Sequence, residues 1–461
     1  MTSKSINPNL PPEPVHFVGA GGIGMSALAE LLLDCGLKVS GSDLKPNANT
    51  ARLIAKGATI AESHDASQVP ASGSLIVSSA ISADNPEVEQ AKKLGIPVLH
   101  RSDLLVQLMQ PSQRITVAGT HGKTTTSAMI SYVFEKLGLD PTYAVGGCLN
   151  HTQSPVRLGH GSPFVAEVDE SDGTISKFAP DIAVVTNVAP DHLDHFGHFD
   201  AIKSTFAKHL QKIRPDGVAI LGWDNPVCRE LAEHAKDHLG YGMVIGSDIR
   251  AVTPKFYQGS CEFLAVVERA QIPVRINAIG RYNIENALAA FAVAKVLELD
   301  LKDVAACLSE FPGVARRLEL IHDRDSTLIY DDYAHNPGKI AAVVQALRTS
   351  FPEHRLAVAF QPHRYSRLAT MYQEMTSAFA GSDRVYLLPV YAAGEEPVAG
   401  MTPDKIRDDI SQSSQTTCQF FASFDELTNF VVKSNLDRTV FLTVGAGDVW
   451  QLARQIRDQL V

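Results

Sequence analysis

The chain has 461 residues, of which 45% are hydrophobic and 20% are charged, and its formal net charge is −10. This length exceeds what one hydrophobic core can serve, so we expect two or three domains. The negative charge and the lack of a dense Lys/Arg stripe argue against nucleic acid as a partner.

Membrane insertion and disulfide bonding are not expected either. The sequence has no apolar run long enough to span a bilayer, and Met1 to Pro14 are polar and rich in proline rather than signal-like. The six cysteines are scattered singly without a C-x-x-C pair, so neither a disulfide framework nor a zinc site is suggested. These features predict a cytoplasmic protein.

The first motif is a glycine-rich turn between a strand and a helix. The apolar segment 15–18 precedes G-x-G-x-x-G, and a second strand at 37–40 is followed by an acidic residue about 20 positions after the motif. This order is typical of a dinucleotide site, where a helix N-terminus binds a diphosphate and an acid binds a ribose hydroxyl. UDP offers the same two groups, so an NAD-linked oxidoreductase and a UDP-binding protein both stay open. The candidate contacts are Gly19, Gly21, Gly22, Ile23, Gly24 and Asp43.

Two later strand ends point toward the same crevice. The apolar stretch beginning at Leu75 reaches Ser78 and Ser79, and another strand ends at His100. These three residues are candidate ligand contacts, although polar residues at strand ends that simply face water would look the same.

A second glycine-bracketed turn follows the β-branched strand 115–118. Its residues are Gly119, Thr120, His121, Gly122, Lys123, Thr124 and Thr125. Two glycines let backbone N–H groups surround an anion at a helix N-terminus. Lys123 would reach the β- and γ-phosphates of a nucleotide, and the Thr124 hydroxyl would bind Mg²⁺. Val117 stands where the longer phosphate loop has glycine, so this is a shortened loop; an ordinary strand-to-helix turn is the alternative.

Acidic residues and histidines follow the next two buried strands. Strand 164–168 ends in an acidic run, in which Glu167 is the expected metal ligand, although a solvated turn is the usual explanation of such a run. Strand 182–188 ends near Asp191 and His192, where open α/β sheets bind ligands. A zinc site there is the rival reading, but the cluster lacks a cysteine or a helical H-E-x-x-H.

The rest of the chain continues the alternation of strands and helices. Asn283 and Asn286 open an alanine-rich helix, which one of them could cap, or they could bind a base edge. Alternation from 115 to about 300 predicts a second sheet of mixed or parallel type. A third α/β segment begins near residue 321, with strands expected at 327–330, 356–360, 385–389 and 440–444.

Together these motifs resemble those of the Mur ligase family of peptidoglycan precursor synthesis. The set comprises Gly-Thr-His-Gly-Lys-Thr-Thr, Glu-x-Asp-Glu-Ser-Asp, Asn-x-x-x-Asp-His-x-Asp, Gly-x-x-Asn-x-x-Asn and Asp-Tyr-Ala-His-Asn-Pro, in order. The resemblance implies an α/β protein of three domains. These are a Rossmann-like UDP-sugar domain at 1–110, a central P-loop ATPase domain with a mainly parallel sheet at 111–320, and a Rossmann-like amino-acid domain at 321–461.

The implied activity is that of an ATP-dependent carbon–nitrogen ligase with ATP and Mg²⁺ as cofactors. Within the family, Gly21–Ser26, Pro312–Arg317, Phe360–Arg367 and Pro389–Glu395 resemble the branch that joins L-alanine to UDP-N-acetylmuramate through an acyl phosphate. The alternative is the recycling ligase that attaches L-Ala-γ-D-Glu-meso-diaminopimelate. Asn336 stands where the alanine branch usually has a second histidine. The implied state is a monomer or homodimer.

The resemblance also assigns roles to individual residues. ATP would be bound by the second glycine turn together with Asn283, Asn286, Arg317 and Asp332. The UDP-sugar would be bound by the first turn, Asp43, Ser78, Ser79 and His100. The amino acid would be bound by Tyr333, His335, Arg364 and Arg367. The metal would be bound by Thr124, Glu167 and His192. The catalytic set would be Lys123, Glu167, His192, His335 and Arg364.

Overall fold

A computed structural model describes residues 10–171, 173–191, 196–324, 326–434 and 436–460. The chain forms two compact units. The first unit comprises Met1–Val252, Leu264–Ile272 and Glu285–Phe311. The second unit comprises Thr253–Phe263, Pro273–Ile284 and Pro312–Val461.

Strands and helices alternate along the described residues. The strands are Val15–Val18 (β1), Val39–Ser42 (β2), Thr59–Ala61 (β3), Ser74–Val77 (β4), Val98–His100 (β5), Gln113–Ala118 (β6), Thr142–Leu149 (β7), Ser154–Arg157 (β8), Pro163–Glu167 (β9), Ile182–Val185 (β10), Val218–Gly222 (β11), His238–Gly242 (β12), Ile249–Tyr257 (β13), Ser260–Val267 (β14), Ala270–Ile276 (β15), Glu319–Arg324 (β16), Thr327–Asp332 (β17), Arg355–Phe360 (β18), Arg384–Leu387 (β19), Thr417–Phe420 (β20) and Thr439–Val444 (β21).

The helices fill most of the intervals between the strands. They are Ile23–Asp34 (α1), Ala48–Ala55 (α2), Pro86–Leu94 (α3), Arg101–Met109 (α4), Lys123–Lys136 (α5), Phe199–Leu210 (α6), Pro226–Leu231 (α7), Arg281–Val296 (α8), Leu301–Ser309 (α9), Pro337–Ser350 (α10), Tyr365–Thr370 (α11), Tyr372–Ser377 (α12), Pro403–Ser413 (α13), Phe424–Val432 (α14) and Trp450–Leu460 (α15). Among the described residues, no helix is both long and apolar enough to cross a membrane.

The first sheet has the strand order β3-β2-β1-β4-β5, and all its pairings are parallel. The chain leaves β1 for β2 on one side and later returns to β4 on the other. A parallel sheet opens a crevice where the order reverses, at the carboxyl ends of its strands. Strand β2 runs two residues further than the sequence predicted and ends directly before Asp43.

The second sheet has the order β15-β14-β13-β12-β11-β10-β6-β9-β7-β8. Its central strands β9, β6, β10 and β11 are parallel, whereas β7 and β8 pair antiparallel. Residues on both faces of the central strands are buried: Val117 and Val184 lie on one face and Thr116 and Ala183 on the other, which is what a sheet covered on both sides requires. The predicted second sheet of mixed or parallel type is confirmed.

The third sheet has the order β16-β17-β21-β18-β19-β20. It is parallel except for the edge strand β16, which pairs antiparallel with β17. Strand β17 continues to Asp332, beyond the predicted end, and therefore carries two acids into its carboxyl edge. Three mainly parallel sheets with intervening helices confirm the predicted α/β fold class.

Candidate active site

The second glycine turn joins β6 to α5 and leaves the start of that helix open. Gly119 has φ +131° and Gly122 has φ +85°, conformations that favour glycine. A Cβ atom at Gly119 would lie 2.1 Å from Thr186 Oγ1, so no side chain fits there. Gly122 is the N-cap of α5 and offers no side-chain cap, so the first N–H groups of the helix remain available to an anion.

The carboxyl end of β10 holds this turn in place. Thr186 Oγ1 donates to the His121 carbonyl at 2.6 Å, and the His121 N–H donates to Asn187 Oδ1 at 2.9 Å. Thr120 N–H donates to the Asn187 carbonyl, also at 2.9 Å. Neither Thr186 nor Asn187 has this role predicted from the sequence, because the role depends on β10 lying next to β6.

Lys123 forms a buried ion pair with a residue that the sequence analysis did not single out. Its Nζ lies 2.7 Å and 3.0 Å from the two carboxylate oxygens of Glu170 and 2.7 Å from the Gly119 carbonyl. Burial opposes the charged form of Lys123, but the carboxylates of Glu170, Asp169 and Glu167 outweigh it and raise the pKa of Lys123. The ammonium charge is therefore held at the phosphate turn.

Glu167 and Thr124 meet beside the same turn. Thr124 Oγ1 donates to Glu167 Oε1 at 3.1 Å, and the Gly146 N–H donates to Glu167 Oε2 at 2.6 Å. A hydroxyl and a carboxylate in contact at a phosphate turn form an oxygen set of the kind that Mg²⁺ prefers, completed by water and phosphate. These two residues fit a magnesium ion. The third predicted ligand, His192, lies outside the described residues, as does most of the cluster on which the zinc reading depended.

The two asparagines lie inside α8, so the proposal that one of them caps this helix is wrong. Asn286 Oδ1 accepts from Thr126 Oγ1 at 3.0 Å and would lie 2.6 Å from a Cβ atom at Gly122. Asn286 therefore packs directly against the phosphate turn. Asn283 Nδ2 donates to the Ile279 carbonyl at 2.8 Å.

The first glycine turn is tied to the acid that follows β2. The Gly21 N–H donates to Asp43 Oδ2 at 2.8 Å, and Asn49 Nδ2 donates to the Gly21 carbonyl at 2.9 Å. Gly19 has φ +75°, and Gly22 precedes α1 without a side-chain cap. Helix α1 begins with Ile23, whose exposed fraction is 50%, and Gly24 is its second residue.

The other residues predicted to contact the sugar lie on the far side of the same sheet's switch point. Ser79 Oγ is 3.1 Å from His100 Nε2, and His100 caps α4. Ser78 follows β4 and accepts a hydrogen bond from the backbone of Ile81. The structure therefore brings together Ser79 and His100 at the carboxyl edge of the sheet.

Arg101 adds a positive charge to this region that the sequence analysis did not identify. Its guanidinium lies 3.2 Å from where a Cβ atom on Gly24 would be, and Arg101 Nη2 is 3.8 Å from Asp169 Oδ2. Asp169 precedes Glu170, the partner of Lys123. Within the first unit, Arg101 thus lies next to the first glycine turn and next to the acidic run beside the second.

In the second unit, His335 and Arg367, two of the residues predicted to bind the amino acid, lie near His363. His335 Nδ1 is 2.9 Å from the Tyr333 carbonyl, and its ring centroid is 6.4 Å from that of His363. Arg367 Nη1 is 3.0 Å from His363 Nδ1. Burial, followed by the positive charges of Lys339 and Arg367, lowers the pKa of His335 to about 3, so this ring is neutral at physiological pH.

Helix α11 begins only at Tyr365, two residues after His363. The reason is Arg364, which has φ +67° and cannot belong to a helix. Its Nε lies 3.9 Å from Glu395 Oε1. His363 therefore precedes the helix, and its contact with Arg367 comes from the turn rather than from a shared helix face.

Asp332 and Arg317 organise the chain around Tyr333. The carboxylate oxygens of Asp332 accept from the N–H groups of Leu318 and Ala334, each at 2.7 Å. The Arg317 guanidinium lies 5.5 Å from the centroid of the Tyr333 ring. Burial raises the pKa of Asp332, against the opposing effect of Arg317.

Three models of known protein families match successive parts of the chain. The model described as "Mur ligase family, catalytic domain" matches residues 14–113, the "Mur ligase middle domain" matches 117–294, and the "Mur ligase, glutamate ligase domain" matches 316–447. The chain is 39% identical over 442 residues to a UDP-N-acetylmuramate–L-alanine ligase of Geobacter sp. (strain M21), covering 95% of this chain and 96% of the relative.

Two solved structures extend the comparison. The UDP-N-acetylmuramate–alanine ligase of Thermotoga maritima is 29% identical, with a TM-score of 0.83, and the match covers 97% of this chain and 98% of that one. A murein peptide ligase from Psychrobacter arcticus is 22% identical, with a TM-score of 0.69 over 97% and 98% of the two chains, a likeness that shows the fold alone.

Proposed function

The chain belongs to the Mur ligase family, and we propose that it joins L-alanine to the carboxylate of UDP-N-acetylmuramate, converting ATP to ADP and phosphate. The observation that carries the proposal is the pair of glycine turns in the first unit, each opening a helix N-terminus. One has Lys123 and the Thr124–Glu167 contact beside it, and the other has Asp43. The relative from Geobacter, whose name states this reaction, supports it.

Phosphoryl transfer comes first. A muramyl carboxylate oxygen attacks the γ-phosphorus of ATP, the bond to the β-phosphate oxygen breaks, and ADP leaves with the electron pair. Such a transfer requires positioning and charge neutralisation more than covalent help from the protein. Lys123 and the first N–H groups of α5 would hold the phosphates. Thr124, Glu167 and His192 would hold Mg²⁺, which supplies further neutralisation when bound.

Amide formation follows. The amine of L-alanine attacks the acyl carbon, a tetrahedral intermediate forms, and phosphate leaves as the amine loses its proton. Arg364 and Arg367 would bind the carboxylate of the amino acid, because guanidinium groups pair with carboxylates through two hydrogen bonds. Tyr333 and the neutral His335 would orient the amine and the developing negative charge. Asn283, Asn286, Arg317 and Asp332 would complete the ATP site.

The UDP-sugar would lie on the first turn, with its diphosphate at the start of α1 and its ribose at Asp43. Ser78, Ser79 and His100 would face it from the other side of the switch point. We propose that the UDP-sugar, ATP and amino-acid sites belong to three domains, at 1–110, 111–320 and 321–461. The use of ATP and a nucleotide-linked sugar fits a cytoplasmic location, for a monomer or a homodimer.

A phosphate-release assay tests the proposal. We expect release only when ATP, UDP-N-acetylmuramate and L-alanine are all present, with glycine and L-serine as comparison amino acids. Release with L-Ala-γ-D-Glu-meso-diaminopimelate but not with L-alanine would favour the recycling ligase.

Binding calorimetry separates this proposal from other classes of protein. We expect the protein to bind the UDP-sugar and not to bind NAD, because a hydride-transfer enzyme does not require a second, ATP-binding turn. Micromolar NAD binding that the UDP-sugar does not affect would support an oxidoreductase instead. Binding of both substrates without phosphate release would indicate a regulatory protein.

A further inference from the structure

Gly146 lies at the point where β7 separates from its neighbours. Strand β7 pairs in parallel with β9 as far as Ala144 and Ala166, and its pairing with β8 shifts register between Ala144 and Leu149. The backbone of Gly146 therefore leaves the regular ladder. Its N–H donates to Glu167 Oε2 at 2.6 Å instead.

The reason for glycine at this position is space rather than backbone conformation. Gly146 is not among the glycines with positive φ. A Cβ atom built on it would lie 2.6 Å from both carboxylate oxygens of Glu167. Non-bonded carbon and oxygen atoms do not approach this closely, so any side chain at 146 would push the carboxylate away.

The other oxygen of Glu167 is held from the opposite side. Thr124 Oγ1, at the start of α5, donates to Oε1 at 3.1 Å. The carboxylate is thus fixed at both oxygens, once by the phosphate turn and once by the main chain of β7. Groups that hydrogen-bond to a metal-binding carboxylate set its orientation and basicity.

We propose that Gly146 is a positioning residue: its N–H group and its lack of a side chain fix the Glu167 carboxylate in the orientation that binds the divalent cation of the nucleotide. This inference rests on the proposed function, in which Glu167 serves that cation. It assigns a role to a glycine that the sequence motifs do not include.

The test compares Gly146→Ala with Gly338→Ala. Gly338 is a matched control because a Cβ atom there meets open space and its φ is not positive. Binding of ADP to the whole protein is measured by calorimetry with and without Mg²⁺, and binding of Mn²⁺ in the presence of ADP by electron paramagnetic resonance. No UDP-sugar or amino acid is needed.

We expect Gly146→Ala to weaken metal-dependent ADP binding and Mn²⁺ binding by about 10–100-fold, the usual effect of losing such a partner. Metal-free ADP binding should change by less than about twofold, and Gly338→Ala should change neither quantity. Equal weakening with and without metal would mean that the phosphate turn itself is distorted, which would overturn the proposal. Unchanged metal binding would overturn it as well.

A second variant keeps the test decisive. Glu167→Asp withdraws the carboxylate from Gly146 by one methylene, so Gly146→Ala should cost little in that background, whereas independent effects would multiply. If Gly146→Ala alone does not fold, recovery of folding in the Glu167→Asp background supports the proposal, and continued failure contradicts it. Phosphate release by the unchanged protein tests the proposed function separately.

Discussion

Lys123→Ala should remove turnover and also destabilise the first unit, for two different reasons. Turnover should fall by several orders of magnitude, because a fixed charge on the transferring phosphoryl group is lost. Stability should fall because Glu170, whose side chain is 3% exposed, loses the ammonium group that lies 2.7 Å from it. The second effect follows from the structure alone and does not depend on the proposed reaction.

The loss of stability in Lys123→Ala depends on pH. Breaking a buried ion pair from one side costs about 3–5 kcal/mol when the remaining charge cannot escape. At about 2 °C per kcal/mol for a large domain, the thermal midpoint should drop by about 6–10 °C. Burial raises the pKa of Glu170, and Lys123 opposes that rise, so removing Lys123 leaves burial dominant.

A carboxyl whose folded-state pKa is raised stabilises the folded protein at low pH and loses that contribution as pH rises through the raised value. The deficit of Lys123→Ala should therefore be small below the ordinary carboxyl pKa of 4.5 and should grow as pH rises through the raised value.

The assay is thermal unfolding at several pH values alongside phosphate release. Lys123→Ala/Glu170→Gln should regain stability but not turnover, since the buried charge is gone while the phosphate site remains incomplete. Lys136→Ala is the matched control at the other end of α5. Its ion pair with Glu310 is solvent-exposed, with side-chain exposures of 46% and 65%, so we expect little effect on stability. A pH-independent midpoint in Lys123→Ala would refute the ion-pair reasoning, and near-normal turnover would refute the phosphate-loop assignment.

Three further predictions concern the second unit. Arg367→Lys should raise the KM for L-alanine about tenfold or more while the KM values for ATP and the UDP-sugar stay nearly unchanged, because the planar fork suited to a carboxylate is lost; an equal rise in all three would move the carboxylate site to Arg364. Burial lowers the pKa of His335 from 6.5 to about 3, so its neutral form stabilises the native state above pH 6.5 and that contribution is lost as pH falls toward 3. His335→Asn should make acid unfolding less steep in this range, and an unchanged acid transition would contradict the assignment. Asn336 caps α10 by accepting from the Lys339 N–H at 2.9 Å, so Asn336→Ala should cost about 1 kcal/mol in thermal unfolding, whereas Asn336→Asp should cost little.

The turns and the fold class could be predicted because their signals are local. Glycines at the two turns, β-branched strands and the following helical patterns each lie within a few residues of one another. The residues that hold the turns could not be predicted in this way. Asn187 binds His121 across 66 positions, and Arg101 approaches Asp169 across 68, so their roles appear only once the strands are aligned. The start of α11 depends on one residue, Arg364, whose positive φ is not signalled by the sequence.

The acidic run after β9 shows how strand register decides what a charge does. Val117 of β6 pairs with Glu167 of β9, and the Val168 N–H donates to the Val117 carbonyl at 3.0 Å. Successive side chains alternate between faces, so Val168 is buried in the core while Glu167 faces Thr124. A shift of one residue would exchange them, placing a carboxylate in the core and removing it from the phosphate turn. From composition alone, the acidic residues at the end of β9 would be described as a solvated turn. Because β9 pairs in parallel with β6, the strand that leads into the phosphate turn, one of these residues instead gains a specific function.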